Sequence, residues 1–255
     1  MIIRAFKRAF WCFYDNLFKS MLLNVILFIM LLTVFFISNK IKINMYLSVC
    51  IMLFIWHIIS PAYLFYFTKL MKREESHIFR DVFTGLRYFA LKGMAIFLIN
   101  LIVAIVVFEA IEFYKNIKGF GIIVGGIALW GIIMFLFMQL YIIPVMVLDE
   151  KRRLFVSYKK SFLMIIGVPF STIIAAVLIA YLNGLIYFFT SNIKGIALAA
   201  LLPIFGLPFL NYSFIIFLQL NCAMLVYEKH GIMPSLKEAW EQRDLISIFK
   251  PWDQR

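Results

Sequence analysis

The stretch "MKREESHIFRDVFTGLRYFALKG", Met71 to Gly93, is a polar passage set between long apolar runs. In a soluble domain, Glu74, Glu75, His77, Arg80, Asp81 and Arg87 would be material for acid–base or metal chemistry. Between membrane spans, the same residues are charge that a bilayer excludes. The surrounding sequence selects the second reading. The chain is 64% apolar and 15% charged, with a mean hydropathy of +0.96, where a soluble domain is about half apolar and about 25% charged.

Outward from this stretch, uncharged runs extend over Ser20 to Asn39, Ile43 to Thr68, Gly93 to Phe108, Gly119 to Leu148, Ser161 to Ile193 and Gly195 to Tyr227. A hydrocarbon core about 30 Å thick needs about 20 helical residues. Five runs reach that length, and the third does so once extended to Tyr114. The expected fold is therefore all-α and polytopic, with six spans at about 20–39, 43–68, 93–114, 119–148, 161–190 and 196–227. Residues 1–231 form one membrane domain and 232–255 a short tail. The first run has no small-residue cleavage pattern after it and is expected to be retained.

The net charge of +12 could suggest nucleic acid, but in a membrane chain the side on which the cations lie comes first. With a cytoplasmic N-terminus, 20 of the 25 Lys and Arg residues fall on the cytoplasmic side. Only Lys40, Lys42, Lys115, Lys118 and Lys194 fall outside. Both termini are thus expected in the cytoplasm, with no nucleic-acid partner. Cys12, Cys50 and Cys222 are far apart and none lies in an outer loop, which argues for neither disulfide nor zinc.

Short words recur. The outer turns read "SNKIK" from Ser38, "KNIKG" from Lys115 and "SNIKG" from Ser191. The entries into the membrane read "LFKSM", "ALKGM" and "YKKSF". This pattern suggests three helical hairpins, each led in by a basic segment.

Two lead-in segments have helical periodicity. Ile2, Ile3, Phe6, Phe10, Phe13, Tyr14 and Leu17 form one stripe, and Ile78, Phe79, Val82, Phe83, Leu86, Phe89 and Ala90 another. Both read as amphipathic helices on the inner leaflet, the second capped by Ser76. The third, "DEKRRLFVSYKKSF", reads as too short for such a helix. In the tail, Ser235 and Glu238 form a capping-box pattern for a helix to about Asp244.

Chemistry finds little support. Glu74 and His77 have the spacing of a carboxylate and imidazole on one helical face, but the companions of a di-iron site are missing. No nucleophile elbow, phosphate loop or nucleotide fingerprint is present, so we expect no enzyme, no cofactor and no metal. Polar residues inside spans carry more weight. His57, Gln139 and Gln219 lie in the three returning helices and are candidates for one polar layer. That layer would either line a passage or hydrogen-bond helix to helix, the commoner role, which Asn24, Asn100 and Asn221 share. Pro203, Gly206 and Pro208 break the last run and are candidates for a cavity wall. Glu109 and Glu112 share a helical face and are candidates for an outer mouth. Arg80, Asp81, Arg87, Arg152 and Arg153 form a candidate cytoplasmic docking surface.

Two segments carry a family resemblance. "SPAYLFYFTKLMKREESHIFRDVFTGLRYFALKG" has Pro61-Ala62 near a span end, then Glu74-Glu75, Phe79-Arg80-Asp81, Phe83 and Arg87. With "LYIIPVMVLDEKRRLFVSYKKSF" and its Pro144, it resembles the YesL-like bacterial six-span membrane proteins. The resemblance implies a bacterial inner-membrane location and an association with carbohydrate uptake, but no catalytic residues. The expected function is a transport-associated component: an accessory subunit of an uptake system, or a small permease for a polar solute such as a carbohydrate. The rival is a non-conducting structural or regulatory protein whose cytoplasmic face binds a partner subunit or anionic membrane lipid.

Overall fold

In lipid, no water is available to backbone N–H and C=O groups, so an apolar chain must bond them within itself. This chain does so with helices. The computed structural model describes residues 1–72, 74–115, 120–149, 153–192 and 207–232, and among them the regular structure is entirely helical. Eight helices follow in order: α1 (Ile2–Asp15), α2 (Leu17–Lys40), α3 (Met45–Met71), α4 (Ile78–Lys115), α5 (Phe120–Leu148), α6 (Leu154–Gly167), α7 (Pro169–Asn192) and α8 (Leu207–Lys229). The tail helix expected near 235–244, together with Arg152, Pro203 and Gly206, lies outside the described residues, as do the side chains of Glu112 and Pro208.

Among the described residues four helical stretches are long and apolar enough to cross a membrane: Leu17–Ser38, Met45–Met71, Ile78–Ile111 and Val124–Leu148. A fifth is reached only if α6 and α7, bent by 103° to one another, are counted as one span. The run read as one span from 161 is thus divided. Gly167 ends one helix, and Pro169 fixes its own backbone and biases Val168 away from the helical region, so the chain turns there. Val168 takes φ −143° and ψ 56° accordingly. The segment read as too short for a lead-in helix forms α6, which at 14 residues matches α1 in length. It achieves this by taking its C-terminal turns from the apolar run.

The turn after α2 is closed by local chemistry. Lys42 adopts the left-handed conformation (φ 58°), so the Ile43 N–H reaches the Ser38 carbonyl at 2.9 Å. The Asn44 side chain then caps α3 by accepting from the Tyr46 N–H at 2.9 Å.

Burial is concentrated toward one end of the bundle. In α8 every residue from Ile216 to Tyr227 except Gln219 is buried, and α8 touches α1, α2, α3, α5 and α7. The buried segments of its neighbours are Ile59–Leu64 in α3 and Tyr141–Val147 in α5, apart from Ile143, along with Ala5, Ala9 and Trp11 in α1. The far halves are bare by contrast: Phe36, Ile102, Ile105, Phe108 and Trp130 are exposed. Such an apolar surface is stable only against lipid. At about 1.5 Å per residue, the 38 residues of α4 reach about 57 Å, well beyond a 30 Å core. Its first turns therefore stand clear of the hydrocarbon on the basic side.

Candidate functional site

The polar residues of the buried end form two tiers with the same cyclic connectivity. In the first tier three ion pairs join the ends of α3, α5 and α8 to the lead-in segments. Lys69 in the last turn of α3 donates to the Asp81 carboxylate of α4 at 2.7 Å. Asp149, just past α5, accepts from Lys160 of α6. Glu228 at the end of α8 accepts from both Nη atoms of Arg8 in α1, at 2.9 and 3.4 Å, with Arg4 3.9 Å away. Arg8 is wholly enclosed and Glu228 is only 7% exposed. A charge that deep is tolerable only when paired in this two-bond geometry.

The second tier lies further from those helix ends and joins the same three helices to α4, α7 and α2. Asn100 of α4 donates through Nδ2 to His57 Nε2 of α3 and to Gln139 Oε1 of α5, both at 3.1 Å. Tyr141 of α5 meets Thr172 of α7 at 3.1 Å. Ser213 of α8 donates to Asn24 of α2 at 2.7 Å. Through both tiers α3 leads to α4, α5 to α6 and α7, and α8 returns to α1 and α2. His57 has a defined tautomer in this arrangement. Its Nδ1 lies 2.8 Å from the Leu53 carbonyl, which can only accept, so Nδ1 carries the proton and Nε2 presents its lone pair to Asn100.

Small residues let the helices approach closely enough for these contacts. The face of α4 toward α3 is Asp81, Gly85, Phe89, Gly93 and Ile96, all buried. A Cβ on Gly93 would lie 2.1 Å from the His57 carbonyl oxygen, and one on Gly85 would lie 2.8 Å from the Ala62 Cα. On α1 the enclosed face is Ala5, Arg8, Ala9 and Cys12, and on α6 it includes Ser157 and Ser161. Of the large apolar residues in the expected stripes, Ile3, Phe79 and Phe83 are among the most exposed side chains, whereas Phe13 and Phe89 are buried.

The candidates singled out in the sequence fall into three groups. His57 and Gln139 are brought together, with Asn100 as the link. Gln219 stands apart, on a cavity of about 10 Å³ beside Tyr141, Ala175 and Ile179. A single water needs about that much space, so no solute fits. Glu109 is exposed on the bare half of α4. Arg80, Arg87 and Arg153 are exposed on the basic side, whereas Asp81 is 4% exposed and belongs to an internal pair.

Glu74 and His77 occupy a non-helical link between α3 and α4, not one helical face. The helix begins at Ile78, one residue later than a Ser76 cap would start it. The His77 N–H instead donates to the Asp81 carboxylate at 2.8 Å. At Asp81, outside the apolar part of α4, burial raises the carboxyl pKa. Hydrogen bonds from Lys69 and His77 and the Lys69 charge outweigh it, leaving the pKa below its ordinary value.

By composition and by its helices this is a helical membrane protein. Comparison with protein-family models, with curated proteins and with solved structures finds no match.

Proposed function

We propose that the chain is a non-conducting accessory component of a bacterial inner-membrane assembly, an uptake system foremost, which docks on another subunit through its basic cytoplasmic end. Six spans, three hairpins and cytoplasmic termini belong to the same proposal, with α8 and the run before it as the sixth span. So does the YesL-like resemblance.

The observation that carries the reading is the inward placement of three acids. Asp81, Asp149 and Glu228 are each held in an internal ion pair. Arg80, Arg87, Arg153, Lys159 and Lys229 are exposed. Each pair is neutral, so the outward field of that end is set by these exposed cations, which outnumber the exposed acids Asp15, Glu74 and Glu75 and suit an acidic face on a partner. The deeper polar residues support the same reading. His57 and Gln139 are engaged between helices, in the role that polar side chains in bundles usually have.

The test is co-purification in mild detergent. Arg80→Glu with Arg87→Glu is expected to lose a membrane subunit that the wild type retains. An unchanged partner profile would reject the docking role, and solute uptake by vesicles holding only this protein would reject its non-conducting character.

A further inference from the structure

Between α6 and the end of α8 lies an open groove of about 370 Å³. Its floor is apolar, formed by Leu163, Met164, Val226 and Ile232, and its rim carries Lys160 and His230. We infer that this groove holds one anionic phospholipid of the leaflet on the basic side, with an acyl chain along the floor and the phosphate at the rim.

Three observations converge on that occupant. The groove flanks α6, which meets α7 at 103°. Two helices at that angle cannot both run along the membrane normal, and α6, which carries exposed Lys159 and the rim residue Lys160, is taken as the one lying along the surface. The groove therefore opens at headgroup depth. Its volume is at the low end of the 300–1,000 Å³ usual for ligand pockets, enough for one chain and no more.

The chemistry is two-sided. The apolar floor suits hydrocarbon, while Lys160 and exposed His230 suit a phosphate, with exposed Lys159 and Lys229 next to them in sequence. Lys160 is shared with Asp149, and its ammonium also lies 5.9 Å from the Tyr227 ring centre. Tyr227 supplies the third observation. It is 3% exposed in the groove wall, and its hydroxyl is buried without a hydrogen-bond partner. A buried phenol is normally bonded, and a phosphate or ester oxygen is an acceptor of the required kind.

Native mass spectrometry of the full-length protein, released from bilayer discs of phosphatidylglycerol and phosphatidylcholine, tests the inference. The wild type is expected to retain one phosphatidylglycerol, and none of either lipid from discs of phosphatidylcholine alone. Gly167→Leu places a side chain in the groove, where an added Cβ meets only His230 Nε2 at 3.5 Å, and should abolish retention. His230→Glu alters an exposed residue, disturbs no buried contact, and adds a carboxylate at the rim, which should lower retention about fivefold, the effect of one unit of charge at an anionic surface.

Wild-type retention in both variants would overturn the inference. So would displacement of the lipid by inorganic phosphate, which would mark a site for the anion alone. Removal of residues 233–255 should leave retention unchanged, and a rise would make that segment the occupant instead. Partner loss is read from Arg80 and Arg87, so either proposal can fail without the other.

Discussion

At Gly93 the α3 and α4 backbones touch, and a methyl group there would meet the His57 carbonyl oxygen at 2.1 Å. Backbone cannot swing aside as a side chain can. Gly93→Ala is therefore expected to destabilise the protein by about 1–3 kcal/mol, the usual effect of overpacking. Nothing lies within 4 Å of a Cβ at Gly131, so Gly131→Ala should stay within about 0.5 kcal/mol of wild type. Unfolding in one detergent reads both. Asn100→Leu removes two interhelical bonds, each worth about 0.6 kcal/mol in comparable bundles, so a loss of about 1 kcal/mol is expected in the same assay. His57 and Gln139 were legible in the sequence as polar residues within spans. Asn100 as their link was not, because sequence places a residue along a helix but not across two others.

Among the elements, α1 is held to α8 by its buried face, by the contacts of Phe6 and Phe13 with Phe214, and by a deep ion pair. Arg8→Met strands Glu228, and breaking a buried pair in this way destabilises by about 3–5 kcal/mol. Adding Glu228→Met should recover most of that loss. Cys12, 1% exposed beneath α1, is a built-in reporter. It should react with a thiol reagent faster in Arg8→Met than in wild type or in the double variant, and equal rates would show that the pair does not hold α1 in place. The apolar periodicity of α1 and α4 revealed that these helices exist and that bulky residues such as Ile3, Phe79 and Phe83 face away from the protein, but not that Phe13 and Phe89 turn inward. In a soluble protein the bulky stripe is the buried one. Lipid satisfies Phe79 and Phe83 equally well, so the protein-facing side is marked by small residues and by the occasional charge.

For the whole molecule, the charge asymmetry and the apolar runs were legible at once, since bilayer thickness and cation placement act on any chain. Cysteines introduced at Asn116 and Asn192 are expected to react with an impermeant reagent from outside the cell, and reaction only in inverted vesicles would refute the orientation. The bend at Val168 was less legible, because composition alone cannot separate a 33-residue run that kinks from one that tilts. The cyclic order of contacts was not legible at all. It depends on α8 returning to α1, and no local pattern announces a partner at that separation.

Arg8 and Glu228 are separated by 220 positions in the chain. Ribosomes add about 5–20 residues per second, so Arg8 waits about 10–40 s for its partner to be synthesised. Through that interval α1 carries a cation built for enclosure and has nowhere to enclose it. The Arg8–Glu228 pair can therefore close only after α8 has been made, and a nascent chain halted before α8 lacks it.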